Sequence, residues 1–266
     1  MKYTFGILGA GNMGGAVALA ASRTVRDGVL VDRDPARAAG LAAEIGFSVG
    51  TEEEAALESR YLFLGVKPHL VAGVLRELSP LLARRDTPPV LVSMAAGVSI
   101  SQLLAGLEKP CPIIRIMPNT PVSVGQGVVL YSCSPDVTEE MEAGFLSLLS
   151  AAGGLYPIDE YLMDVGAAVS GCGPAYAYLF LDALADGGVA CGLSRPDAVR
   201  FAAQTLLGAA QMVLETGKHP DQLKNEVCSP GGSTIQGVRT LEQRAVRAAV
   251  MDAVIAACEK NAVLGR

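Results

Sequence analysis

Along the first half of the chain, apolar residues gather in short runs, and between the runs they recur every three to four positions. The runs YTFGIL, GVLVD, YLFLGV and PPVLVSM have strand length. Each precedes a helical pattern: GGAVALAAS, PARAAGLAAEIG, HLVAGVLRELSPLL and SISQLLAGL. Strands alternating with helices imply βαβ units and a parallel sheet, and PIIRI, GVVLY and GGLYPI extend it. After about residue 160 the strand signals stop, and from Pro174 onward the pattern is helical, punctuated by Gly and Pro. This predicts an α/β unit over residues 1–160 and an all-helical unit over residues 161–266.

One helix of the second half has clear ends. Ser194 reads as its N-cap, with Pro196 in the first turn and Asp197 beside the positive helix end; it runs to Glu215 and stops near Gly217. Between Ala198 and Leu214 it carries a single charge, Arg200. A helix apolar around nearly its whole circumference does not lie on the surface of a monomer. The uncharged stretch is too short and too marked by glutamine to span a membrane, so burial against a second subunit is expected.

Composition narrows the partners. Half of the 266 residues are hydrophobic and 18% are charged, which marks a globular chain with apolar surface to spare for subunit contacts. The net charge of −6 is scattered, and no Lys/Arg cluster interleaves with aromatics, so a nucleic-acid partner is not expected. Six cysteines without C-x-x-C spacing and two histidines suggest neither a metal site nor a disulfide scaffold. Reduced thiols fit a cytoplasmic protein. The charge-free stretch over residues 3–22 has the outline of an export signal, but five glycines within it argue against that reading.

The stretch GILGAGNMGGA follows the first strand and opens a helix, with G-x-G-x-x-G at Gly9, Gly11 and Gly14. The first glycine permits the tight turn, the second lets the backbone approach a pyrophosphate, and the third lets helix and strand pack closely. Asp32 ends the second strand at the offset expected for a ribose contact, whereas Arg33 beside it suits a 2′-phosphate. The two residues argue opposite ways on cofactor choice. Residues 65–68, GVKP, lie where the carboxyl end of a parallel strand meets the ligand crevice, which makes Lys67 a candidate cofactor contact.

Hydride transfer to or from an alcohol needs a base, usually a His or Lys in the pocket. His69 and His219 both stand beside prolines and read as structural. Reduction of a C=N bond asks for less, because a protonated imine is already electrophilic and a hydroxyl donor near the nitrogen suffices.

MPNTPVSVGQG (117–127), SGCGPAYAYLFLDALADGG (170–188) and HPDQLKNEVCSPGGSTIQGVRTLE (219–242), together with GAGNMG, resemble the pyrroline-5-carboxylate reductases, which make L-proline from Δ1-pyrroline-5-carboxylate. The match keeps its order and spacing over nearly the whole chain. The resemblance implies an N-terminal Rossmann-type doubly wound sheet followed by an all-helical dimerisation domain, with the active site between the two. It implies a homodimer able to assemble further, for instance into a ring of dimers, and a small-molecule substrate. NADPH is the implied hydride donor, with NADH as the alternative.

Carried over by position, Leu8, Gly9, Ala10, Gly11, Asn12 and Met13 line the cofactor's pyrophosphate and nicotinamide end. Asp32 and Arg33 face the adenosine, and Gly65, Val66, Lys67, Pro68, Met94, Ala95 and Ala96 complete the bed. Thr234 matches the hydroxyl that bonds the ring nitrogen, while Ser229, Gly231, Gly232 and Ser233 hold the substrate with it.

Cys172 replaces the usual serine of SGSGP, and LEQRAVR at 241–247 replaces an LEQGGFR-like stretch, a change assigned to packing. Glu52 would repel a 2′-phosphate. A β-hydroxyacid dehydrogenase is disfavoured, because the lysine those enzymes place four residues after a glycine is Ala177 here. A non-catalytic dinucleotide sensor would have no need of Thr234.

Overall fold

The computed structural model describes residues 1–264. Its sheet contains β1 (Tyr3–Leu8), β2 (Gly28–Val31), β3 (Ser48–Val49), β4 (Ser59–Leu64), β5 (Val90–Ser93), β6 (Ile113–Pro118), β7 (Gly127–Cys133) and β8 (Gly153–Pro157), in the order β3-β2-β1-β4-β5-β6-β7-β8. Helices α1 (Asn12–Ala21), α2 (Pro35–Ile45), α3 (Glu52–Glu58), α4 (Val71–Ala83), α5 (Ile100–Ala105), α6 (Glu139–Leu148) and α7 (Met163–Ser170) accompany it.

The apolar runs form strands buried on both faces, and the pleat sorts them into two cores. Tyr61, Phe63, Val90, Val92, Ile114 and Ile116 meet Val17, Ala18 and Ala21 of α1. Leu62, Leu64, Leu91 and Ile113 meet Val71, Leu75, Leu78 and Leu82 of α4. Burying each such large side chain contributes about 1.5–3 kcal/mol.

All strand pairs are parallel except β6 with β7. Residues 119–126 between them are too few for a parallel crossover; they form a 3-10 turn ended by Gly125 at φ 75°. The short helices α3 and α6 escape the apolar-periodicity reading. Their signal is instead a threonine cap, Thr51 or Thr138, followed by three glutamates in the first turn.

Compactness divides the chain at a different place from composition. Met1–Cys172, with the chain from Ala257 onward, forms one unit, and Gly173–Ala256 forms the other. Residue 160 marks the end of the strands, but α7 buries Met163, Ala167 and Ala168 and packs on β6 and β7. The buried Arg115 of β6 fastens that segment, donating to Glu160 at 3.2 Å and to Asp164 at 3.1 Å. Asn119 adds a second fastening: its amide nitrogen donates to the Ser170 carbonyl and its amide oxygen accepts from the Val128 N–H, both at 2.9 Å.

The other unit holds α8 (Gly173–Ala190), α9 (Arg195–Thr216), α10 (Pro220–Val227), α11 (Ser233–Gln243) and the start of α12 (Val246–Leu264). Ser194 caps α9 through the Asp197 N–H, and Gly217 closes it in the left-handed region. Only three residues of this unit, Ala185, Ala198 and Ala202, are buried. Leu179 is 74% exposed and Leu214 72%. One chain does not cover these side chains by itself, in keeping with the second subunit expected from the composition of α9.

Among the described residues other than glycine, Ala245 alone has positive φ, at 56°. It lies just past the Arg244 C-cap of α11, in the stretch where the family resemblance sets a glycine pair. A left-handed conformation costs an L-residue about 1–2 kcal/mol, partly offset by the lower entropy of an unfolded alanine. Ala245→Gly is therefore expected to stabilise the protein by about 0.5–1 kcal/mol and to raise Tm by about 2 °C in scanning calorimetry at fixed protein concentration. An unchanged or lower Tm would contradict the assigned strain.

Candidate active site

The first candidate site is built where three backbones touch. β1 delivers the chain to Gly9, at φ 99°, where a Cβ would lie 2.7 Å from the Gly65 carbonyl oxygen. A Cβ on Gly14 or on Gly65 would collide with the Gly9 carbonyl oxygen. Only hydrogen atoms fit at these positions, so the start of α1 is pressed against the ends of β1 and β4. At Gly11, by contrast, a Cβ meets nothing within 4 Å. Gly11 borders a cleft of about 240 Å³ and is the N-cap of α1, with no side chain satisfying the first N–H groups. Open donors at a helix N-terminus facing a glycine-lined cleft suit a pyrophosphate.

Of the candidate cofactor residues, Leu8, Gly9, Gly11, Asp32, Arg33, Gly65, Val66 and Lys67 line this cleft. Arg37 and Glu52 join them. Sequence reasoning passed over Arg37 because it lies inside the helical pattern of α2; its signal is its place in the first turn, after the Asp34-Pro35 helix start. Asn12 is exposed at the start of α1, and Pro68 is exposed in the 3-10 turn after Lys67. Other candidates face elsewhere. Met13 and Met94 pack against the core around Phe63, and Ala95 is buried in the core around Leu64. Ala96 lines a separate pocket of about 170 Å³ with Gly97, Met117 and Cys172.

Asp32 is more constrained than its sequence position suggests. Its side chain is 8% exposed. One carboxylate oxygen accepts from the Ala10 N–H at 2.7 Å, and the other accepts from the Asp34 N–H at 2.8 Å. The carboxylate thus ties the end of β2 to the glycine loop and holds Ala10 buried.

The second candidate site lies in the helical unit, where residues 229–234 lead into α11. Gly231 turns the chain at φ 70°, and the Gly232 N–H donates to the Ser229 carbonyl at 3.0 Å. A Cβ on Gly232 would collide with the Ser229 hydroxyl. Gly232 is the N-cap of α11, again without a side-chain cap, and Ser233 and Thr234 are the first two residues of the helix. Ser229, Ser233 and Thr234 are exposed and carry hydroxyls.

Arg247 at the start of α12 links α10 to the far end of α11. Arg247 donates to Asp221 at 2.9 Å and to Glu242 at 2.7 Å, and Lys224 donates to Asp221 at 2.9 Å. Hydrogen bonds from Lys224 and Arg247 hold the Asp221 carboxyl down at about 2. His219 is the N-cap of α10, its Nδ1 accepting from the Asp221 N–H. Burial pushes the Cys111 and Cys133 thiols up to about 11, so both remain protonated at neutral pH.

Six helices are closed by a side chain at the N-cap: α2 by Asp34, α3 by Thr51, α5 by Ser99, α6 by Thr138, α9 by Ser194 and α10 by His219. Helices α1 and α11 instead begin on glycine and leave their first N–H groups open. These are the two places where the sequence predicts a ligand.

Comparison with known proteins agrees with this layout. A family model described as pyrroline-5-carboxylate reductase dimerisation matches residues 160–264. One described as NADP oxidoreductase, coenzyme F420-dependent, matches residues 4–97. The chain is 42% identical to a pyrroline-5-carboxylate reductase of Pisum sativum, over 98% of this chain and 95% of the relative. With that of Escherichia coli (strain K12) it shares 39% identity over the whole of both chains. Among solved structures, it is similar to a Plasmodium falciparum pyrroline carboxylate reductase with NADP bound, at TM-score 0.86 and 30% identity over 100% of both chains. A pyrroline-5-carboxylate reductase from Coxiella burnetii matches at TM-score 0.89 and 29% identity, also over 100% of both. With this identity over its full length, the chain belongs to the pyrroline-5-carboxylate reductase family.

Proposed function

We propose that this chain reduces the C=N bond of Δ1-pyrroline-5-carboxylate to L-proline with NADPH, or alternatively NADH, as the reductant. The observation that carries the reading is the pair of glycine-capped helix starts at Gly11 and Gly232, each with open N–H donors. Two anions need homes in this reaction, the cofactor pyrophosphate and the substrate carboxylate. Full-length identity to curated reductases supports the assignment of the reaction.

When bound, the reduced nicotinamide supplies a hydride to the imine carbon. The chain's residues do the rest. Gly9, Gly11 and the first turn of α1, with Asn12 and Met13, hold the pyrophosphate. Lys67, Val66 and Pro68 flank the cofactor, with Met94, Ala95 and Ala96 following the carboxyl end of the neighbouring strand β5. The backbone from Gly231 to Thr234, with Ser229 beside it, holds the substrate carboxylate at the α11 N-terminus, where two glycines let the backbone close on the anion. The Thr234 hydroxyl donates to the imine nitrogen. Positioning and exclusion of water supply most of the acceleration.

The exposed apolar side chains of α8 and α9 support a homodimer, the assembly named by the dimerisation model. No described helix is long and apolar enough to cross a membrane, and the protein is proposed to work in the cytoplasm. The position of Ala177 in α8, where a dehydrogenase base would stand, favours imine over alcohol chemistry.

Adding Δ1-pyrroline-5-carboxylate to protein and NADPH should consume the reduced cofactor, read by its absorbance, whereas glyoxylate-type acids should not. No substrate-dependent oxidation with either cofactor would leave a dinucleotide sensor as the reading. Thr234→Ala is expected to lower kcat by about 10² to 10³ with the fold intact, and near-normal turnover would remove Thr234 from the mechanism. Gly14→Ala should weaken NADPH binding by at least about tenfold and lower Tm, because its methyl group strikes backbone. Gly11→Ala should weaken binding comparably at unchanged Tm, because its methyl group enters only the cleft. Equal effects of the two substitutions on Tm would show that the crowding at Gly14 is not structural.

A further inference from the structure

Asn119 of MPNTPVSVGQG and Ser170 of SGCGP stand 51 positions apart in the sequence, and the fold joins them. Asn119 is 6% exposed and follows the end of β6. Its backbone is fully paired: the N–H donates to the Val128 carbonyl and the carbonyl accepts from the Val122 N–H, both at 3.2 Å. These bonds hold the turn without the side chain. The amide oxygen accepts from the Val128 N–H and the amide nitrogen donates to the Ser170 carbonyl, both at 2.9 Å. A backbone N–H on one side and a carbonyl on the other call for an acceptor and a donor on one short side chain, which an asparagine amide supplies and a carboxylate does not.

The Ser170 carbonyl needs that donor. In a continuing helix it would accept from the N–H four residues on, but that residue is Pro174, which has none. The N–H groups of Gly171 and Cys172 both turn back to the Ala167 carbonyl, at 2.9 and 3.0 Å. Asn119 thus supplies the bond that the proline of SGCGP withholds. The turn it secures faces a cavity: Gly171 and Cys172 line the pocket of about 170 Å³ together with Met117 of β6 and with Ala96 and Gly97 beyond β5. Ala96 is among the residues proposed to flank the cofactor, so the turn borders the cofactor bed.

We infer that Asn119 is a positioning residue for hydride transfer, acting through the Ser170 carbonyl to fix the Gly171–Cys172 turn beside the cofactor bed. The inference rests on the reductase reading for the reaction that it serves. Arg115 offers a contrast within the same segment. It fastens the start of that segment through Glu160 and Asp164 and leaves the turn at its end to Asn119.

Steady-state kinetics with Δ1-pyrroline-5-carboxylate, calorimetric NADPH binding and Tm at fixed protein concentration, all on the full chain, test this. Asn119→Asp keeps an acceptor for the Val128 N–H and sets an oxygen against the Ser170 carbonyl. It is expected to lower kcat by at least about tenfold, because small misplacements at a reacting site are costly, while NADPH affinity stays within about twofold. Asn119→Ser, which loses the reach to Ser170 without adding a charge, carries the same expectation should Asn119→Asp fail to fold. Glu160→Gln weakens the other fastening and is expected to lower Tm with kcat within about twofold.

Normal kcat in a folded Asn119 variant would overturn the assignment. So would an equal loss of kcat in Glu160→Gln at the same loss of Tm, which would mark plain destabilisation of α7. Loss of NADPH affinity in step with kcat would also overturn it, by moving the effect to cofactor binding. An unaltered chain that reduces no Δ1-pyrroline-5-carboxylate would instead sink the reductase reading, and this role with it.

Discussion

Where α1 passes over the ends of β1 and β4, the backbones of Gly9, Gly14 and Gly65 approach so closely that no side chain fits between them. Much of the first unit follows from that contact. It sets the depth of α1 against the sheet, which lets Val17, Ala18 and Ala21 reach the core around Phe63. It leaves Gly11 at the mouth of the cleft with the first N–H groups of α1 open. Asp32 stiffens the same turn from the side by accepting the Ala10 N–H. A residue expected to read the cofactor thus shapes the glycine loop instead.

The helical unit depends on a different constraint, the shortage of its own core. Its buried residues are three alanines, and large apolar side chains on α8, α9 and α12 stand in the open. Hydrophobic burial scales with the apolar area removed from water, so most of the stabilisation these side chains can supply is left unused within one chain. The polar links among Asp221, Lys224, Glu242 and Arg247 are exposed pairs, each contributing about 0.2–1 kcal/mol. Their effect is geometric: they brace α10 and α11 on either side of the turn at residues 229–234.

Much of the fold was legible in the sequence because burial on both faces writes an unambiguous pattern. YLFLGV could only be an inner strand beside others of its kind, and the Ser194 cap and Gly217 stop of α9 stand where the local signals place them. The glycine loop and SPGGST were legible for a related reason, since glycine at a helix start marks a place where backbone must face something other than a side chain. The short α3 and α6 were less visible, because seven to ten residues give too few turns for apolar periodicity, and their caps carry the signal instead. The segment around α7 ends a composition rather than a compact unit, and Arg115 and Asn119, which tie it to the sheet, show no local sign of those partners.

By itself, the sequence determined the order of the longer strands and helices, the two glycine-capped helix starts and the family, since each is written in residues close together along the chain. Only the tertiary structure decided how the charges lining the first cleft are engaged. Asp32 and Arg33 are adjacent and look equally available, yet Asp32 is nearly buried and accepts the N–H of Ala10, which the fold brings over from another strand end. Arg37 borders the cleft from the first turn of α2, which the Asp34 N-cap starts directly after Arg33. Hydrogen-bond capacity is set by neighbours in space, and for these residues the neighbours lie on other elements.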